Sequence, residues 1–412
     1  MKSHAPISIL EYEIVGENKK RIISPSIKAE IELKLSNPKG KVVFNKKIPF
    51  RSFVSNFAYM LNYAFTGTSL SNKIKTTANT NATATTHTAD VKEGIPVGNV
   101  PYYGIWIGNV TNNSGISGLD QNANMGSDIA FADYNLNTLF TDIVVVTDVV
   151  YQATTITFNS NGYLNINRAY INSRTTSVYV SEIGLVGKTN NNEYILLARD
   201  RFTDGTNSYV EVPADYVLDI SYKFSVSAVS GFVKNFLGYL SSEFNGGDSI
   251  ASLQDQAGGY YTVDFTAART QKDLMAAASE NNYGLLLGGS VGTSSSGSFS
   301  LSANSFKLTN KLTNTYLTHG ATIALNTSDL TFTNNYSMFG VKRDFTNVSD
   351  TDAVYVYEAG LFVKHTTTAK YYMMSRLLTT GSGVPYLILQ PGKILRIKYY
   401  LAFPLDEIQV VN

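Results

Sequence analysis

FVSNFAYMLNYAF, residues 53–65, returns as FVKNFLGYLSSEF, residues 232–244. Phe53, Val54, Asn56, Phe57, Leu61 and Phe65 meet Phe232, Val233, Asn235, Phe236, Leu240 and Phe244 without a gap. Further segments recur in the same order at a lag of about 175 to 180 residues, the pattern of an internal repeat. Tyr103-Gly104-Ile105-Trp106-Ile107-Gly108 answers to Tyr283-Gly284-Leu285-Leu286-Leu287-Gly288, and Arg168, Tyr170 and Asn172 answer to Arg343, Phe345 and Asn347. Glu182-Ile183-Gly184-Leu185 then meets Glu358-Ala359-Gly360-Leu361, Arg199 meets Arg376, and Leu218, Ile220 and Tyr222 meet Leu395, Ile397 and Tyr399. The reading is a tandem duplication in three parts: an N-terminal β-arm over 1–50, a first repeat over 51–226 and a second over 227–412.

Around the quoted segment the hydrophobic period is helical. Phe53, Phe57, Met60, Leu61 and Ala64 fall on one face, and Gly67 closes the run. In the second copy Phe232, Phe236 and Leu240 form the equivalent core face, ending before Gly246-Gly247. A third, shorter helix is expected over Gln271 to Ser279. Elsewhere strands recur every ten to fifteen residues or so, as at Tyr103 to Ile107, Ser177 to Val186, Tyr194 to Phe202 and Tyr216 to Val226. The fold expected is all-β: two tandem β-sandwich, jelly-roll-like domains, each with one short amphipathic helix. The arm reads as strands with a turn at Asn37-Pro38-Lys39-Gly40. Thr76 to Thr88, rich in Thr, Ala and Asn, reads as an exposed, mobile loop.

The 412 residues are 43% hydrophobic, enough for two cores, yet only 16% are charged. Asn, Thr, Ser, Gly and Tyr make the surface polar without making it ionic, which suits contact with other protein or with sugar, because uncharged groups cost less to desolvate. The net charge of +1 argues against broad attraction to nucleic acid or to anionic membrane. The first fifty residues are locally basic, and their alternation of charged and apolar residues is that of half-buried strands. Cysteine is absent, so disulfides and thiolate chemistry are excluded. The N-terminus lacks the apolar core of a secretory signal and no apolar run has transmembrane length, so a soluble product made in a cytoplasm is expected.

Glu182 placed opposite Arg199 puts a hairpin turn in Gly187 to Asn192, and Glu358 placed opposite Arg376 puts one at His365 to Thr368. Both turns fall in polar gaps between apolar runs, so both registers are self-consistent. Val180, Val186, Ile195 and Leu197 would share a face with the first pair; Val356, Phe362, Tyr372 and Met374 would share one with the second. Both pairs therefore read as semi-buried structural cross-strand bridges rather than catalytic carboxylates.

No reacting centre is nominated. His4, His87, His319 and His365 are scattered, with no second metal ligand at a binding spacing, and His365 reads as a solvated turn residue. Ser349-Asp350-Thr351-Asp352 is only a fragment of a calcium loop. Acidic residues do not offer the paired carboxylates of a glycosidase. The glycines near Gly284 and Gly288 do not open a helix, so no phosphate-cradling loop and no cofactor is implied. Tyr102, Tyr103, Trp106, Tyr260 and Tyr261 are the aromatic residues suited to stacking on sugar, although aromatic strand residues are more often core or interface.

Tyr170 and Asn172, then Glu182 to Leu185, Leu197-Ala198-Arg199 and Leu218 to Phe224 form a succession that resembles a segment of the virion structural proteins of tailed bacteriophages and related archaeal viruses. Phe345 and Asn347, Glu358 to Leu361, Met374-Ser375-Arg376 and Gln390-Pro391-Gly392-Lys393 repeat it. Pro213-Ala214-Asp215, in place of a Pro-Gly turn, and the Thr76 to Thr88 stretch depart from the pattern. The resemblance implies a non-enzymatic building block located in a virion. It would form a homo-oligomer and contact other virion structural proteins in a tail, collar, baseplate or fibre attachment. The arm and the tail Leu405 to Asn412 are the candidates for strand exchange between subunits. The alternatives are a receptor-binding adhesin or tail fibre recognising host-surface glycans, and a capsid decoration protein.

Overall fold

The computed structural model describes residues 7–410 except 18–19, 26, 50–52, 54, 67–73, 75, 77–80, 83–88, 97–101, 110–148, 160–161, 204–208, 227–231, 247–249, 264–271, 295–301, 303, 326–335, 367, 380–385 and 405–408. His4 and His87 lie outside the described residues. The fold is all-β: among the described residues two helices, Ser55–Thr66 and Lys234–Phe244, accompany several mainly antiparallel sheets.

Two large sheets are built alike. One runs Val42–Pro49, Lys28–Ser36, Val217–Ser225, Tyr163–Asn172, Val149–Tyr151, with Thr155–Asn159 also on Tyr163–Asn172. The other runs Lys20–Pro25, Ile7–Ile14, Ile394–Pro404, Tyr336–Asn347, Leu317–His319, with Ile323–Ala324 also on Tyr336–Asn347. A smaller sheet faces each. Val178–Lys188 pairs with Gly104–Asn109, Tyr194–Thr203 and Val210–Val212. Val354–His365 pairs likewise with Gly284–Val291, Lys370–Leu378 and Leu387–Leu389. The same strand succession thus yields the same pairing in each half.

The first fifty residues are shared between the halves. The hairpin of Lys28–Ser36 and Val42–Pro49 lies on Val217–Ser225, whereas that of Ile7–Ile14 and Lys20–Pro25 lies on Ile394–Pro404. Asn37 Oδ1 accepts the amides of Lys39 and Lys41, each at 3.0 Å, and Gly40 takes a φ of 77°, which fixes the expected turn. Gln409–Val410 pairs in parallel with Phe202 and Thr203, so the chain's last strand returns to the first half.

Period-two alternation explains the core. Ala29, Ile31, Leu33 and Leu35 point inward from one strand, Leu218, Ile220, Tyr222 and Phe224 from its neighbour, and Leu164, Ile166 and Tyr170 from the next. Each such side chain removed from water contributes about 2 kcal/mol. Phe53, Phe57, Leu61, Phe232, Phe236 and Leu240, the helix face read from the repeat, are all buried. Phe53 stacks on Phe57 at 3.9 Å, and Phe232 meets Phe236 at 4.1 Å with the rings tilted by 32°.

The helices cross between the halves. Phe53 bridges to Ala198, and Ser55–Thr66 packs on Tyr194–Thr203 of its own half but also on Tyr336–Asn347 of the other. Phe232 bridges to Ser375, and Lys234–Phe244 packs on Lys370–Leu378 of its own half but also on Thr155–Asn159 and Tyr163–Asn172. Their ends are capped reciprocally. The Val91 amide donates to the Phe244 carbonyl at 2.8 Å, and the Leu274 amide donates to the Phe65 carbonyl at 3.3 Å. Phe57–Phe244 and Phe65–Tyr239 ring contacts join the two helices. One hydrophobic cluster accordingly runs through both halves.

Two local expectations are corrected. Lys272–Asp273 is a short strand beside Lys364 and His365, and no helix covers the described residues of 271–279, because pairing and the Phe65 contact outweigh the propensity of the Ala run. Within Thr76 to Thr88, Thr76 bridges to Ile195 and is buried, and Ala82 is buried with its amide on the Ile74 carbonyl, so these residues lie against the sheet and are not exposed. Asn81 is exposed as expected, and 77–80 and 83–88 lie outside the described residues.

Candidate functional site

Glu182 and Arg199 form an ion pair, with Arg199 Nε 2.8 Å from Glu182 Oε2, and Glu358 and Arg376 form its counterpart. All four side chains are buried. Neither pair is directly opposite, as the simple hairpin register requires. Glu182 faces Arg201 and Glu358 faces Leu378: each hairpin begins one position out of the expected register, with Lys188 opposite Tyr194 and His365 opposite Lys370, and a β-bulge then adds one residue, Leu197 or Met374, to the Arg-bearing strand. The charges therefore meet diagonally.

The bulge also changes which face they share. Glu358 lies beside Gly288, where an added Cβ would stand 2.4 Å from its Oε1. Leu308 and Phe362 lie against Gly360 on the same outer surface, whereas Val356, Tyr372 and Met374 belong to the main core. Val180, Ile195 and Leu197 likewise belong to the main core, and Val186 to a separate cluster with Trp106 and Leu196. A roof closes over the second pair: the Thr309 amide donates to Glu358 Oε1 at 2.6 Å, and Arg376 donates to Ser305 Oγ and Thr309 Oγ1.

Two further arginines tie the facing sheets together. Arg168 occupies an inward position of Tyr163–Asn172 and donates to the carbonyls of Gln152, Tyr103 and Ile105 and to Glu93 Oε2. Arg343 does the same in the second half, donating to the carbonyls of Gly320, Tyr283, Leu285, Ala277 and Glu280. These bonds saturate its five N–H groups with carbonyls alone, and burial pulls its pKa down to about 10. Asn172 and Asn347 complete each clamp: their amides donate to the carbonyls of Thr176 and Val212, and of Asp352 and Leu389.

On the outer surface a second constellation recurs. Tyr103 stacks on Tyr194 at 6.2 Å with Lys188 Nζ 5.6 Å from the Tyr103 ring centre; Tyr283 stacks on Tyr371 at 6.1 Å with Lys364 Nζ at 5.4 Å. Trp106 is buried beside the first trio. Tyr260 and Tyr261 lie elsewhere, under Lys234 and Lys370 respectively.

Among the described residues, the histidines and acids read from sequence do not converge. His319 is buried edge-on to Phe345, its Nδ1 3.2 Å from the Glu280 carbonyl, and burial together with Arg343 lowers its pKa to about 4. His365 is a buried strand-end residue rather than a solvated one, with Nδ1 2.8 Å from Thr368 Oγ1. Ser349 to Asp352 is a turn in which Ser349 Oγ accepts the Asp352 amide and Asn347 Oδ1 accepts the Ser349 amide. Among the described residues no group of three His, Cys, Asp or Glu side chains converges as a metal site, and no helix is long and apolar enough to cross a membrane.

The chain matches no family model, no curated protein and no solved structure at a significant level. Sequence reasoning paired Glu182 with Arg199 and Glu358 with Arg376 but missed the roles of Arg168 and Arg343. The available signal was parity, since both arginines occupy strand positions whose neighbours two residues away point inward.

Proposed function

We propose that this protein is a non-enzymatic structural component of a virion, built by duplication of a β-sandwich module and working as a symmetric oligomer in a tail, collar, baseplate or fibre attachment. The observation that carries the reading is the use made of buried charge. Arg168, Arg199, Arg343 and Arg376 each join separate segments of chain, through backbone carbonyls or carboxylates, and so serve rigidity. Interlocked helices serve the same end, since neither half can be pulled from the other without exposing Phe57, Phe65, Tyr239 and Phe244.

The outer strands supply assembly surfaces. Lys20–Pro25 and Val42–Pro49 terminate the two large sheets, and Val42 and Val43 are exposed on the second of these edges. Charge ladders such as Glu13–Arg396–Asp344 cross the outer faces and favour specific, salt-sensitive contacts. The virion setting rests on the sequence resemblance. Sedimentation velocity with negative-stain imaging tests the oligomer, and labelled antibody against this chain on purified particles tests its location. A monomer at tens of micromolar that decorates no particle refutes the proposal.

A further inference from the structure

Tyr102 is the one member of the outer aromatic constellations that their structural role does not explain. The Tyr–Tyr–Lys trio exists in both halves, but the residue before Tyr283 is Asn282, whose Oδ1 takes the Lys311 ammonium at 3.1 Å. In the first half that position is a tyrosine, half exposed, which stacks on Tyr194 at 5.9 Å with planes 22° apart. Tyr194 thus lies between Tyr102 and Tyr103, and three near-parallel rings step along the surface.

The exposed ring is held in place from beneath. The Tyr102 amide donates to Glu93 Oε1 at 2.8 Å, while Glu93 Oε2 accepts from the buried Arg168 guanidinium at 2.8 Å. The second half has the same anchor, since Glu280 Oε1 accepts the Asn282 amide at 2.7 Å while the Glu280 carbonyl accepts from Arg343, so the halves differ in the side chain presented, asparagine in one and tyrosine in the other. An aromatic face fixed before binding loses little entropy when a ligand stacks on it. Lys188, paired with Tyr194 across the hairpin, and the exposed Asn190–Asn192 turn place donors and acceptors at the end of the strip.

We propose that the Tyr102–Tyr194–Tyr103 strip is a carbohydrate-binding site that stacks the flat C–H faces of neutral pyranose units. Rings in steps match a chain of linked sugars, and amides beside them match hydroxyls. The inference goes beyond an assembly role and stands or falls separately from it, since oligomerisation does not need Tyr102.

The test uses the full chain on an array of neutral and anionic oligosaccharides, followed by calorimetric titration with the strongest neutral binder. Tyr102→Ala is expected to weaken binding by about tenfold or more at unchanged Tm, the loss of one stacking contact. Tyr102→Phe, which keeps the ring, stays within about threefold of native, and Tyr260→Ala, at a separate exposed tyrosine, leaves binding unchanged. The proposal is overturned if the native chain binds no neutral sugar on the array, if Tyr102→Ala binds as tightly as native, or if single-stranded oligo-dT binds the strip more tightly than any sugar.

Discussion

Replacing Arg376 by Met tests whether the buried ion pairs act as braces. The native guanidinium meets Glu358, Ser305 Oγ and Thr309 Oγ1, and Glu358 is fully buried. Removing the cation leaves that carboxylate with the Thr309 amide as its remaining contact in the roof. A buried pair broken on one side costs about 3 to 5 kcal/mol. Glu358→Gln in the same background removes the stranded charge and keeps a carbonyl for the Thr309 amide, so the double variant recovers about 2 kcal/mol of the loss. Urea unfolding at pH 7.5, followed by near-ultraviolet circular dichroism, measures native, both single variants and the double. A loss below about 1 kcal/mol for Arg376→Met, or a double variant less stable than Arg376→Met alone, would show that the buried pair is not a brace.

Acid should destabilise the second half through His319. Its folded pKa, about 4, lies below the ordinary 6.5, so the contribution is complete above the unfolded pKa and is lost as pH falls from 6.5 towards 4. That window is worth roughly 3 kcal/mol, and His319→Leu should flatten the native dependence of urea midpoint on pH there. Gly104→Ala and Gly284→Ala should each cost about 2 kcal/mol or more in thermal unfolding. Both glycines have positive φ, and a Cβ would stand 2.4 Å from Thr154 Oγ1 or Thr322 Oγ1. Phe57→Ala removes a buried ring that touches Phe53 and Phe244 and should cost about 3 to 5 kcal/mol. Because that ring bridges the halves, a single calorimetric transition should move to lower temperature; two separate transitions in the native chain contradict the interlock.

Much of the architecture was legible because its causes are local. Alternation in Lys28 to Leu35 announces a half-buried strand, and Asn37-Pro38-Lys39-Gly40 carries its own turn chemistry. The helix face of Phe53, Phe57 and Leu61 follows from spacing alone. Bulges were not legible, since an extra residue at Leu197 leaves the apolar count of the strand intact while turning the ion pair to the other face. The Tyr102 strip was half legible: Tyr102 and Tyr103 stood out as aromatic candidates, but Tyr194 did not, because its stacking depends on a neighbour from another strand.

Periodicity and residue type were enough to specify the strand-rich class, the two helices, the repeated order of elements and the Glu182–Arg199 and Glu358–Arg376 pairs, but not Glu93 with Arg168. Those properties follow from periodicity, turn residues and the high cost of leaving a buried charge alone. Only the tertiary structure decided that the first fifty residues divide between two sheets, that each helix crosses to the opposite half, and that Arg168 and Arg343 fasten one sheet to the other. Such choices depend on surfaces brought together from distant parts of the chain, where the free energy lies in mutual burial and no single segment records its partner.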